Sequence, residues 1–125
     1  MRVNFEIAKM LKSKNINFTS DKFFDINGNL KSTKMGMHNN PNNYYNCYSA
    51  PKIKDVLEYL IVEYNLDIQY IYDVSNDTYN VCITYIADDT GEFETIEPES
   101  LKELELKSDV YLKGIEYAFE NLINI

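Results

Sequence analysis

Two stretches of strict alternation, separated by a short polar turn, constrain this chain more than any other feature. In 66–74, Leu66, Ile68, Tyr70, Tyr72 and Val74 alternate with Asp67, Gln69, Ile71 and Asp73. In 79–87, Tyr79, Val81, Ile83, Tyr85 and Ala87 alternate with Asn80, Cys82, Thr84 and Ile86. A period of two sends each set to its own face of a strand. With Ser75-Asn76-Asp77 between them, the stretches predict an antiparallel hairpin with one buried face.

That face needs cover, and the spacing of apolar residues supplies it. Ile53, Val56, Leu57, Leu60, Ile61 and Tyr64 form a broad helical stripe, with Ser49 as expected N-cap, Pro51 in the first turn and Asn65 at the left-handed end. Val110 or Tyr111, with Leu112, Ile115, Ala118, Phe119 and Leu122, form a second stripe over 108–123, with Ser108 as expected cap. Gly114 inside it costs a helix about 1 kcal/mol against Ala, so a close neighbour is expected to forbid a side chain there. Val3, Ile7, Met10 and Leu11 mark a shorter helix over 3–13, capped by Asn4 and ended by Asn15. Asn27-Gly28, between Phe23 and Lys31, predicts a second hairpin closed by a type I′ turn. Residues 33–47 read as a loop, Phe93–Ile96 as a further strand after the turn 88–91, and 97–107 as either a short helix or an extended edge.

The expected fold class is therefore α+β, a small antiparallel sheet with two or three helices packed on one face. A chain of 125 residues buries roughly two-thirds of its unfolded surface, enough for one core, so a single domain over 1–125 is expected. At 45% apolar and 14% aromatic residues it is not a disordered chain. No apolar run approaches the roughly 18 residues of a membrane span, and the first residues lack a signal-peptide core, so a cytoplasmic or virion-associated protein is expected.

Charge divides the chain. Residues 1–52 hold eight Lys or Arg against three acids; residues 53–125 hold four Lys against seventeen acids, so the stretches carry +5 and −13 of the net −8. Within the single domain, this sets a basic part, 1–48 (helix, hairpin and Asn-rich loop), against an acidic helix–hairpin–helix core, 49–125. A phosphate backbone rewards clustered cations, and base readout favours Arg, of which there is one. Nucleic acid is not the expected partner, although Lys9, Lys12, Lys14, Lys31 and Lys34 are the residues that would serve it.

Residues that carry chemistry are sparse. One His, two Cys and no Trp exclude a histidine-rich metal centre, a zinc module and a disulfide scaffold. Asp25–Asn29 approaches a calcium loop but lacks its later Gly and Glu, and Asp73–Asp77 fails in the same way. Cys47 as a nucleophile has only His38 as a base, with no third group to orient it. No phosphate-binding glycine loop or catalytic triad is present. No enzyme, cofactor or metal site is expected.

The residues expected to form an interaction surface are Tyr44, Tyr45 and Tyr48, which combine apolar area with a polar tip, and the acids Asp88, Asp89, Glu92, Glu94, Glu97 and Glu99. The bland alternatives are that Tyr45 and Tyr48 fold down over the central helix and that the acids form a solvated face. Opposite charges on one chain also suit homo-oligomers built head to tail, and an exposed strand edge or the tyrosines would serve an apolar interface.

Ser49-Ala50-Pro51, the helix after it, Glu63-Tyr64-Asn65-Leu66-Asp67-Ile68, and the segment from Ser108-Asp109-Val110-Tyr111 to Gly114-Ile115-Glu116-Tyr117-Ala118 together resemble small uncharacterised proteins of gut Bacteroidetes genomes and their tailed phages. The resemblance covers about 44–72 and 108–123. Lys52 stands where those proteins have Thr, and Tyr59–Glu63 stands for their Trp-Leu-Arg-Glu segment. It implies a phage or mobile-element origin and no catalytic activity. The expected function is binding of a protein partner, either a copy of itself or a host factor. The alternatives are an acidic mimic of nucleic acid that occupies a host DNA-binding protein, and a small virion structural or accessory protein.

Overall fold

A computed structural model describes residues 1–87 and 89–123. The fold is α+β, as the pattern requires, but its strands belong to two three-stranded antiparallel sheets rather than one. The chain divides into two compact units, Met1–Asp55 and the residues from Val56 onward.

In the first unit, α1 (Phe5–Ser13) starts at Asn4, whose side chain accepts from the Ile7 N–H at 3.0 Å. It ends in a Schellman closure: the Ile16 N–H reaches the Leu11 carbonyl, the Asn15 N–H reaches that of Lys12, and Asn15 sits at φ 57°. Strands β1 (Lys22–Phe24) and β2 (Leu30–Ser32) form the expected hairpin. Its connection is not the expected type I′ turn, because Asn27 keeps a negative φ and only Gly28, at 82°, is left-handed. Asp25 decides this: its carboxylate accepts from the N–H groups of Asn27 and Asn29, and its carbonyl accepts from Gly28. Phe5 packs against Phe24 and Tyr48, and a Cβ at Gly28 would lie 2.9 Å from its ring.

β3 (Tyr48–Ser49) pairs with the other edge of β1. Ser49 is therefore a buried strand residue, 2% exposed, and not the N-cap of α2 (Ile53–Tyr64). Pro51 likewise precedes the helix. The Met1 carbonyl takes the Ile53 N–H. Val56 and Leu60 of α2 are fully buried, and Asn65 follows the helix at φ 51° as expected.

In the second unit, β4 (Asp67–Asp73), β5 (Thr78–Ile86) and β6 (Phe93–Ile96) make the sheet in the order β4-β5-β6. Ile68 lies opposite Ile83 and Tyr70 opposite Val81, so the expected register forms, but the face is not buried to its end: Tyr72 is exposed, and Val74 lies beyond the strand and is exposed too. α3 (Lys107–Tyr117) packs across β4 and β5 on that face and passes into a π-helical turn over Ala118–Leu122. A Cβ on Gly114 would lie 2.6 Å from Ile68 Cγ2, which is the close contact the sequence implied. Ser108 does not cap this helix: Leu106 holds the cap position, and Ser108 lies one residue inside. The opposite face, with Gln69, Ile71, Cys82, Thr84 and Thr95, is exposed or half-buried. Residues 97–107 resolve into a 3-10 turn at Glu99–Leu101 and a return of Leu104 to bond both backbone groups of Tyr79. Among the described residues no helix is long and apolar enough to cross a membrane.

Candidate interaction site

In the first unit the basic residues are largely consumed by their own fold. Arg2 donates to Ser20 Oγ, the Ala50 carbonyl and Asp21 Oδ1, the last at 2.7 Å. Lys9 pairs with Glu6 and lies 4.4 Å from the Phe5 ring centre. Lys12 donates to the carbonyls of Tyr44 and Cys47, both at 2.7 Å, and lies over the Tyr48 ring; burial lowers its pKa. Lys31 pairs with Asp25. Of the five lysines that would serve a nucleic acid, three are held this way, leaving Lys14 and Lys34.

The expected tyrosine cluster is divided. Tyr48 packs between Phe5 and Lys12, half-buried, whereas Tyr45 is 92% exposed. Tyr44 is also exposed and its hydroxyl donates to the Gly36 carbonyl. Tyr45 does not fold down, and Tyr48 packs on Phe5 and Lys12 of α1. His38 is exposed and Cys47 half-buried. An open groove of about 270 Å³ lies among Arg2, Ser20, Asp21, Asn39, Lys52 and Asp55, its guanidinium already engaged by Asp21.

In the second unit the acids are not consumed. Of those expected to form the surface, Asp88 lies outside the described residues. Asp89, Glu92, Glu94, Glu97 and Glu99 are all exposed; among the described residues Glu99 alone of them forms a salt bridge, to Lys102 at 2.9 Å, and Glu97 lies within electrostatic reach of the same lysine. Glu94 instead accepts from the Tyr85 hydroxyl at 3.2 Å. Burial, with Glu94 next, pushes the Tyr85 pKa up, so the phenol stays a donor. Burial likewise raises Cys82, helped by Glu97 and Asp67, which keeps the thiol neutral. Tyr85, Ala87, Asp89, Glu94 and Asn121 line an open groove of about 370 Å³. No group of three or more His, Cys, Asp or Glu able to hold a metal ion occurs among the described residues.

These acids flank an open sheet edge. β6 pairs only with β5, with Ile86 opposite Phe93 and Ile83 opposite Ile96. The Ala87 N–H bonds the Glu92 carbonyl, so the bonded rungs fall at 87/92, 85/94 and 83/96. Phe93 and Thr95 consequently turn their N–H and C=O away from β5. Phe93 is 68% exposed, and the Thr95 hydroxyl contacts that of Thr84 at 3.1 Å on the open face. Phe93 and Thr95 were not among the residues expected to bind. The alternation Phe-Glu-Thr-Ile was the available signal, since it puts Phe93 on the face opposite Ile96.

No protein-family model, curated protein or solved structure matches this chain.

Proposed function

We propose that this chain is a non-enzymatic interaction protein of a phage or mobile element, acting in the bacterial cytoplasm or on the virion by binding another protein. The origin rests on the resemblance of 44–72 and 108–123. The binding role rests on one observation: Arg2, Lys9, Lys12 and Lys31 of the first unit are engaged by its own groups, while Asp89, Glu92 and Glu94 stand exposed beside an open strand with no salt bridge among the described residues. Unpaired surface charge of one sign steers a partner of the opposite sign and disfavours a phosphate backbone.

The test uses the full chain as bait in host and infected cells, beside the variant carrying Asp89→Asn, Glu92→Gln, Glu94→Gln and Glu97→Gln. Mass measurement of the pure protein at two salt concentrations accompanies it. The expected result is a partner held by the parent chain, released as salt rises and lost from the variant. Tight, salt-sensitive DNA binding would overturn the reading. So would a monomer that captures nothing and turns over a small molecule.

A further inference from the structure

We propose that β6 is a docking edge for an extended, basic segment of another protein, which adds to the sheet as an antiparallel fourth strand with Lys or Arg at every second residue. This rests on the protein-binding reading above and names its occupant. Three features converge on it.

The first is main-chain valence. The N–H and C=O of Phe93 and Thr95 point outward from the terminal strand, and no hydrogen bond among the described residues reaches them. Such a row is a template for a further strand. The second is shape on the open face. Phe93 lies exposed beside the Thr84–Thr95 pair, an apolar and β-branched strip that suits Val or Ile on an incoming strand. The third is charge on the other face. Glu94 is exposed there, with Glu92 two residues before it and Asp89 in the same groove. Among the described residues no salt bridge reaches any of these three.

Charge also selects among occupants. Two copies of β6 laid antiparallel, in the registers that set Glu94 against Glu94 or Glu92 of the second copy, would oppose like charges, which repels a second copy. An acidic segment is repelled for the same reason. A segment with alternating cations satisfies the acids while its apolar residues lie along Phe93.

Register gives the proposal a sharp test. In an antiparallel pair the residues opposite Phe93 and Thr95 share their face and exchange both hydrogen bonds with them. The apolar residues of the incoming strand therefore supply the main-chain bonds, and the basic residues turn theirs to solvent. The probe is a labelled, end-blocked heptapeptide alternating Lys and Val, titrated into the full chain by fluorescence anisotropy. N-methylation of the Val nitrogens is expected to weaken binding at least about tenfold, the factor carried by one lost main-chain bond. N-methylation of the Lys nitrogens is expected to leave binding within about twofold, since those N–H groups make no contact. Thr95→Pro deletes an outward N–H and no rung, so binding is expected to vanish with the circular dichroism unchanged. Glu94→Gln is expected to weaken binding and flatten its salt dependence.

Equal binding of the two N-methylated peptides would reduce the effect to polycation attraction and overturn the proposal. Absence of binding by the parent peptide would overturn it too, as would a dimer of the chain that Thr95→Pro dissolves. A natural partner still held by folded Thr95→Pro would end the strand assignment and leave the protein-binding reading standing. Loss of every natural partner from the parent chain as well would end both.

Discussion

Gly114→Ala sets helix propensity against packing. In an unconstrained helix the change stabilises by about 1 kcal/mol. Here the new Cβ would stand 2.6 Å from Ile68 Cγ2 and 3.4 Å from Val81 Cγ1. Ile68 Cγ2 is a methyl on the branched Cβ, one bond from the backbone, and Ile68 is only 3% exposed. It cannot swing away as a flexible tip would, so α3 must lift from the sheet. Overpacking of this kind costs about 1–3 kcal/mol. With the propensity gain subtracted, the expected net loss is about 1–2 kcal/mol at the upper end of that cost. Urea unfolding followed by far-ultraviolet circular dichroism reads it. With a slope of about 2 kcal/mol/M, the midpoint falls by about 0.5–1 M while the slope holds. Ile68→Leu removes Cγ2, so Gly114→Ala placed on that background should recover most of the loss. A stabilised Gly114→Ala would refute the close contact, because only an uncrowded helix glycine behaves that way.

Ser49→Ala separates two readings of one residue: a lost helix cap costs about 1 kcal/mol, whereas removing a buried hydroxyl with no partner among the described residues is neutral or stabilising by about 1 kcal/mol. The expected outcome is no loss in thermal unfolding. Asn4→Ala, which removes a cap bond the structure contains, is expected to cost about 1 kcal/mol in the same assay. Leu60→Ala, at a fully buried site, is expected to cost about 2–5 kcal/mol by urea titration. Asp25 is held down to about 2 by the Asn29 N–H first, then Lys31. A depressed carboxyl stabilises the fold fully above its unfolded pKa of about 3.9 and loses that contribution as pH falls towards the folded value. Asp25→Asn should therefore flatten the loss of stability between about pH 4 and pH 2, and an unchanged acid limb would count against the hydrogen bonds of that turn.

Local pattern was enough wherever the determining interaction is local. The stripes of α2 and α3 and the alternation of β4 and β5 state which face is buried, except at Ile61 of α2 and at Tyr72 and Val74 where β4 ends, which lie exposed. Asn4 caps its own helix, Asn15 and Asn65 take the left-handed position at helix ends, and Gly114 announces a crowded neighbour without naming it. The type I′ expectation failed on another local effect, the Asp25 carboxylate capturing two N–H groups two and four residues on. Tertiary structure decided what depends on partners distant in sequence. Ser49 became a strand because β1 had a second edge to fill, and Phe24 met Tyr48 across 24 residues. Arg2 and Lys12, two of the cations of the first stretch, found acceptors far along the chain. The open edge of β6 followed from a single register, set by Ala87 bonding Glu92, which decides that Phe93 and Thr95 face outward. A one-residue slip would have turned Glu94 outward and moved Ile96 to the open face, and which register forms depends on the buried face that β5 and α3 present.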